Sequence, residues 1–443
     1  MLFRRYGTFT GGIDLPDEKR RTLNEPIRPC PSSGRLLVPT AYNAGKPADP
    51  VVAVGEAVQA GQKIAAGADG GIDVFAPLSG RVARMTRAWV ADADELVQVP
   101  AVEMTNLSEP TGLDPADERW AWQAAGGDGL LQRIAESSLA TFRRRALPLT
   151  VWLQAACGCR KLVVNAMEGQ PMVTADHRLL AEHGGAVLAG MLILGRAIEA
   201  ADLILAVDWR RTDAYQGLVA PAGQHGITRI ALPHKYPIGA DPILVKVLTR
   251  REIPLGRAGT AIGVAVIDAA TCLAVYRAVA CGCPPTARVV TLAGPGMPQP
   301  GNYWAPFGTP YGDLVGRDAA GPLIHGGPMT GLQVRQDTVV GPATNAVLAL
   351  ASPLPAAPSA CIRCGWCTDH CPARLNVAAL NDAYELKLID EARRSGVQAC
   401  VGCGTCAYVC PARLPLARRM KELCRVVRSV QEDMPLFAAG PQA

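Results

Sequence analysis

The spacing of apolar positions changes character several times along the chain. Residues 1–35 are rich in turn formers and charge and predict an irregular leading segment. From about 34 to 107, short β-branched runs are cut by glycine and proline: L-L-V-P, then V-V-A-V-G-E-A-V-Q-A-G-Q-K-I, then V-F-A-P-L-S-G-R-V-A-R-M. Turns at such short intervals predict a small, tightly bent all-β unit. Between 111 and 284, strand-length apolar runs alternate with longer helical patterns. Strands are expected at 161–167, 202–208 and 227–233, with helices over about 178–200 and 242–250. That alternation predicts parallel strands with helices on the faces, a fold that binds nucleotides at the carboxyl ends of its strands. Residues 285–350 return to β character, with glycine and proline dense enough for a small twisted sheet. After a proline-rich linker, 377–394 and 416–431 read as helical.

Composition narrows the picture. A chain of 443 residues, 49% hydrophobic and 19% charged, is long enough for several globular domains. A net charge of +5 is too small to argue for a nucleic-acid partner. The most apolar stretch, 186–209, is interrupted by Arg196, Glu199 and Asp202, so no membrane span is expected, which leaves peripheral contact with a membrane open. Fifteen cysteines and no secretory leader point to a reducing compartment and to metal ligation.

Eight of those cysteines fall in two runs, C-I-R-C-G-W-C-T-D-H-C-P (Cys361, Cys364, Cys367, Cys371) and C-V-G-C-G-T-C-A-Y-V-C-P (Cys400, Cys403, Cys406, Cys410). This is the C-x-x-C-x-x-C-x-x-x-C-P spacing of bacterial two-cluster ferredoxins, in which the fourth cysteine serves the other cluster. Cys361, Cys364, Cys367 and Cys410 are therefore assigned to one [4Fe–4S] cluster, and Cys371, Cys400, Cys403 and Cys406 to the second. Zinc also accepts four thiolates, but its sites usually pair two separated C-x-x-C units. Close cysteine triplets are equally poor material for disulfides. Two neighbouring clusters pass one electron at a time.

Other features carry weaker signals. Phrases at 54–64 and 76–82 resemble the barrel-sandwich hybrid of biotinyl and lipoyl carriers, but the turn at 65–71 lacks their lysine, so a scaffold is expected. G-G-D-G at 126–129 is a short candidate for a phosphate loop. Cys157 and Cys159, Cys281 and Cys283, and Cys30, Cys272 and Cys424 read as small core residues. The last helix carries Arg418, Arg419, Lys421, Arg425 and Arg428, a solvated basic face that could also meet an acidic partner or anionic lipid.

In this order the modules resemble the RnfC family, peripheral subunits of ion-translocating electron transport complexes. The residues that carry the resemblance are G-G-I-D-L-P-D-E-K (11–19), N-A-M-E-G-Q-P-M-V-T-A-D-H-R-L-L (165–180), K-Y-P-I-G-A-D (235–241), G-P-G-x-x-x-P-G-N-Y (294–303), G-G-P-M-T-G (326–331) and the double cluster motif. The resemblance implies a multidomain α/β and β chain. Residues 1–110 form the leading segment and barrel-sandwich hybrid, 111–284 a Rossmann-like domain similar to the flavin subunit of complex I, and 285–350 a soluble-ligand-binding β-grasp (SLBB) domain. Residues 355–431 form a helical two-[4Fe–4S] ferredoxin domain, and 432–443 a tail.

It also implies an FMN pocket, with Asn165, Glu168 and Lys235 as its candidate residues. The family's glycine-rich flavin loop should fall between about 130 and 148, where this chain reads L-L-Q-R-I-A-E-S-S-L-A-T-F-R-R-R-A-L-P, and Gln170 replaces the family's second acidic residue. Either Arg143, Arg144 and Arg145 hold a phosphate by charge or the flavin is lost. The second reading leaves a one-electron relay without NADH dehydrogenase activity of its own. The implied partners are other redox subunits, Rnf-like membrane subunits or a ferredoxin-like carrier, on the cytoplasmic face of the inner membrane. The alternative is a soluble protein resembling the cobalamin reductases of microcompartments.

Overall fold

The computed structural model describes residues 8–41, 46–68, 71–113, 116–350 and 357–432. The tip of the carrier-like turn (Asp69 and Gly70), most of the linker and the tail beyond 432 lie outside them. The chain divides into two compact units, one of residues 15–234 and 259–354, the other of 1–14, 235–258 and 355–443.

The larger unit begins with the expected bent β module. One sheet runs in the order Arg35–Pro39, Glu95–Thr105, Gly80–Asp92, Ala57–Val58, and a second in the order Asp49–Pro50, Lys63–Ala66, Val74–Phe75. Alternate residues point inward, so Leu36, Val38, Ile64, Val82, Val102 and Met104 close one small core.

Four parallel strands follow, in the order Ile227–Leu232, Asp202–Asp208, Lys161–Ala166, Val264–Asp268. The central strand is buried on both faces, which is why Lys161–Ala166 reads as an unbroken apolar run. The helix Ala175–Ala197, slightly earlier than expected, packs on this sheet beside Ala269–Val279. It is long and apolar enough to cross a membrane, but Leu179, Leu180, Val187, Leu188, Met191, Ile193 and Leu194 are buried in the core. Gly190 permits the crossing: a Cβ there would lie 1.8 Å from the Cys272 carbonyl oxygen.

The third layer is a mixed six-stranded sheet, in the order Ile27–Pro29, Gly301–Pro306, Ala287–Ala293, Ala346–Ala349, Leu323–His325, Leu332–Val334. Its first strand comes from the leading segment, expected to be irregular. Ile27–Pro29 is too short to show a period of its own, and pairing with Asn302–Trp304 is what makes it a strand. A buried amide completes that junction. Asn302 Oδ1 accepts from the hydroxyls of Thr174 (2.9 Å) and Thr291 (3.0 Å), while its Nδ2 donates to the Thr22 carbonyl (2.8 Å).

In the smaller unit the expected helix over 377–394 is two, Val377–Glu385 and Ile389–Arg394, because Lys387 takes a positive φ of 57°. Leu416–Glu432 lays Leu416, Met420, Leu423, Cys424 and Val427 on one buried stripe.

Candidate metal centres

The two cysteine runs fold alike. In each, a glycine in the left-handed region, Gly365 or Gly404, starts a single helical turn, Trp366–Asp369 or Thr405–Tyr408. The arginine three residues after the last cysteine, Arg374 or Arg413, then reverses the chain, again at positive φ. Because each run turns back at its fourth cysteine, that sulfur leaves the loop that holds the other three.

Two voids result. Cys361, Cys364, Cys367 and Cys410 line one, with Ile362, Asn381 and Leu414. Cys371, Cys400, Cys403 and Cys406 line the other, with Val377, Thr405 and Met420. Each has about 20 Å³ of open space. Among the described residues, no three of histidine, cysteine, aspartate or glutamate converge as a single metal ion requires. Four sulfurs around a shared void suit a cluster, whose ligands stand farther apart. Backbone N–H groups also face sulfur at 3.4 Å, from Arg363 to Cys361, from Leu375 to Cys371 and from Gly402 to Cys400. Such donors stabilise charge on ligand sulfur. The donor set, the voids and these N–H groups fit a [4Fe–4S] cluster in each place.

Cys361 and Cys364 are exposed whereas Cys371 is buried. The second set is braced by distant parts of the chain. Gly12 N–H donates to the His370 carbonyl (2.9 Å), and a Cβ on Gly11 would fall 2.6 Å from the Cys371 carbonyl oxygen. Tyr236 Oη donates to the Cys403 carbonyl (2.6 Å), and Ile13 and Tyr236 exchange backbone hydrogen bonds at 2.9 Å. Sequence reading marked these positions only as family-like phrases. A glycine pair and a tyrosine announce no cluster, and the loops that they touch lie far along the chain.

The candidate flavin residues are placed differently. Asn165, the last residue but one of its strand, has Oδ1 accepting from Met167 N–H (3.1 Å), and the Glu168 carboxylate accepts from Asp176 and His177 N–H (3.0 and 3.2 Å), capping the long helix. Lys235 belongs to the smaller unit, where Nζ donates to the Phe9 carbonyl (2.7 Å) and stands 4.5 Å from the Phe9 ring. Gln170 is tied to Thr330 Oγ1 and Met329 N–H (2.6 and 3.1 Å).

In the stretch where a glycine-rich loop would lie, Phe142 is buried against Phe307, with ring centroids 5.8 Å apart. Arg143 donates to the Val266 carbonyl (2.8 Å), and Arg144 to Asp94 and the Thr330 carbonyl. These two guanidiniums are spent on protein oxygens. G-G-D-G does not follow a strand either. It comes after a 3-10 turn, Trp122–Ala124, and opens the helix Gly127–Glu136.

Of the cysteines outside the two runs, Cys30, Cys159, Cys272, Cys281 and Cys424 are buried. Cys283 is half-buried and Cys157 exposed, because Cys157 ends the helix Leu149–Ala156 at a surface turn.

Among known families, the RnfC barrel sandwich hybrid domain is matched over residues 7–106, the Nuo51 FMN-binding domain over 136–277 and a 4Fe-4S dicluster domain over 356–411. The chain is 32% identical to the RnfC component of the ion-translocating oxidoreductase complex of Serratia proteamaculans over 390 residues, covering 84% of this chain and 54% of that protein. It is 33% identical to the component of the same name from Yersinia pseudotuberculosis, covering 83% and 54%. The chain thus spans about half the length of the curated relatives it matches. A solved NAD+-reducing [NiFe]-hydrogenase in the H2-reduced state is similar at a TM-score of 0.48 and 16% identity, over 72% of this chain and 64% of that one.

Proposed function

Because the chain belongs to the RnfC family and carries a 4Fe-4S dicluster domain, we propose that it passes single electrons between a soluble carrier and partner redox subunits of an ion-translocating membrane complex. The observation that carries this reading is the pair of four-cysteine voids, each completed by a cysteine from the other run. When bound, the two clusters supply one-electron chemistry.

The chain's own residues do the rest. The thiolates hold, the facing N–H groups offset charge on sulfur, and the exposed rim at Cys361 and Cys364 gives a partner its approach. Peripheral attachment at the cytoplasmic face of the membrane belongs to the same reading. So does the absence of NADH oxidation, which requires a flavin to split a hydride into single electrons. That part is supported by the engaged arginines and the buried Phe142. The helical two-cluster ferredoxin and β-grasp domains of the family are part of it too. The cobalamin-reductase-like alternative finds no support in these relatives.

Protein purified without oxygen should contain about eight irons and no acid-extractable flavin. One flavin per chain would overturn the relay. Ligation across the runs has its own test by electron paramagnetic resonance. Cys410→Ser should remove the same cluster signal as Cys361→Ser, and Cys371→Ser the same one as Cys403→Ser. If Cys410→Ser instead matches Cys403→Ser, each run holds its own cluster.

A further inference from the structure

Within the larger unit, and lined by no cysteine of the two runs, lies a cavity of about 190 Å³. The β module contributes Pro77 and Leu78, the helix Ala269–Val279 contributes Leu273 and Ala274, and the six-stranded sheet contributes Arg288 and Trp304. Arg288 is 2% exposed. Its Nε donates to the Val289 carbonyl (3.2 Å) and its Nη1 to the carbonyls of Phe142 (3.0 Å) and Pro342.

Those carbonyls are its only hydrogen-bond partners among the described residues, so no carboxylate touches it. Asp176 and Asp268 act on it only through space. Among the described residues, Nη2 donates to nothing. An arginine is always charged, and this buried one, with carbonyls alone in hydrogen-bond contact, has its charge answered only across space, by Asp176, Asp268 and Glu168.

We propose that this cavity binds a small organic monocarboxylate built on a single flat ring, with its carboxylate on Arg288 Nη2. Size argues for one ring, since a cavity of about 150 Å³ holds a benzene molecule and this one is only modestly larger. Its walls mix aromatic and aliphatic side chains with arginines and threonines, which suits a flat ring that carries one charged group. Phe142 lies under the Arg288 guanidinium at 5.5 Å, and Trp304 lies under that of Arg277 at 5.7 Å, beside Leu273 and Pro284. A multiply charged phosphate would meet Arg288 and Arg277, but the prolines, alanines and leucines between them would not return the hydration it loses.

The test is calorimetric titration of the intact, cluster-loaded protein with benzoate, benzamide and inorganic phosphate. Benzoate should bind, benzamide about tenfold more weakly or worse because it lacks the charge, and phosphate not at all. Arg288→Met should abolish benzoate binding. Should that variant fail to fold, Ala274→Leu fills the cavity without touching the guanidinium and should abolish binding too, with its fold checked by circular dichroism. No benzoate binding at millimolar concentration, equal binding of benzamide, preferential binding of phosphate, or undiminished binding to Ala274→Leu would each overturn the proposal.

Discussion

His325 is buried, with Nδ1 2.7 Å from Tyr311 Oη. Burial first, then the charges of Arg288 and Arg144, push its pKa down to about 3 from 6.5. The folded protein therefore keeps the ring neutral at a pH where the unfolded chain already takes up a proton. The stability that this group contributes is whole above about 6.5 and is lost as pH falls toward 3. Between pH 7 and 5 the loss is ~2 kcal/mol. His325→Gln should lose less melting temperature than the parent over that interval. Asp176 works in the opposite sense, pushed up to about 8 by burial and by Glu168 and Asp268, so only the difference between parent and variant isolates the histidine. Gly11 sets a second expectation. Alanine there adds a Cβ 2.6 Å from the Cys371 carbonyl oxygen at a φ of 72°. The left-handed conformation alone costs about 1–2 kcal/mol, and the contact must displace a cysteine-bearing loop. Gly11→Ala should therefore lower iron from about eight toward about four per chain, with the signal of the buried cysteine set fading first. Full iron content would remove Gly11 from the support of that site.

Elements were legible wherever periodicity ran long enough. Asp202–Asp208 falls on its expected boundaries, and Asp241–Thr249 and Leu416–Glu432 lie within a residue of theirs. The misses are short and depend on partners far along the chain. Ile27–Pro29 is a strand because Asn302–Trp304 lies beside it, and the break at Lys387 comes from one left-handed residue inside a helical pattern. In the same way the cysteine spacing announced cluster chemistry, while Asn302 and Tyr236 could be read only as phrases, since their hydrogen-bond partners lie elsewhere in the chain. Gly190 offers a test at this scale. Alanine gains roughly 1 kcal/mol in helix propensity, but its Cβ would sit 1.8 Å from backbone oxygen on the neighbouring helix, and overpacking costs about 1–3 kcal/mol or more. The clash wins, and Gly190→Ala should lower the melting temperature despite the better helix former.

At the scale of the molecule, the unit that holds the cysteines is not one stretch of sequence. Residues 8–14 and 235–258 belong to it together with 357–432, so residues 355–443 expressed alone would leave the Cys371 and Cys403 loops without Gly12 and Tyr236. On a ribosome, those two braces emerge long before the eight thiols that they support. Metallation must therefore wait until the second cysteine run has been made, and a cell short of iron would accumulate chains with their supports made and their sulfurs still open to oxidation.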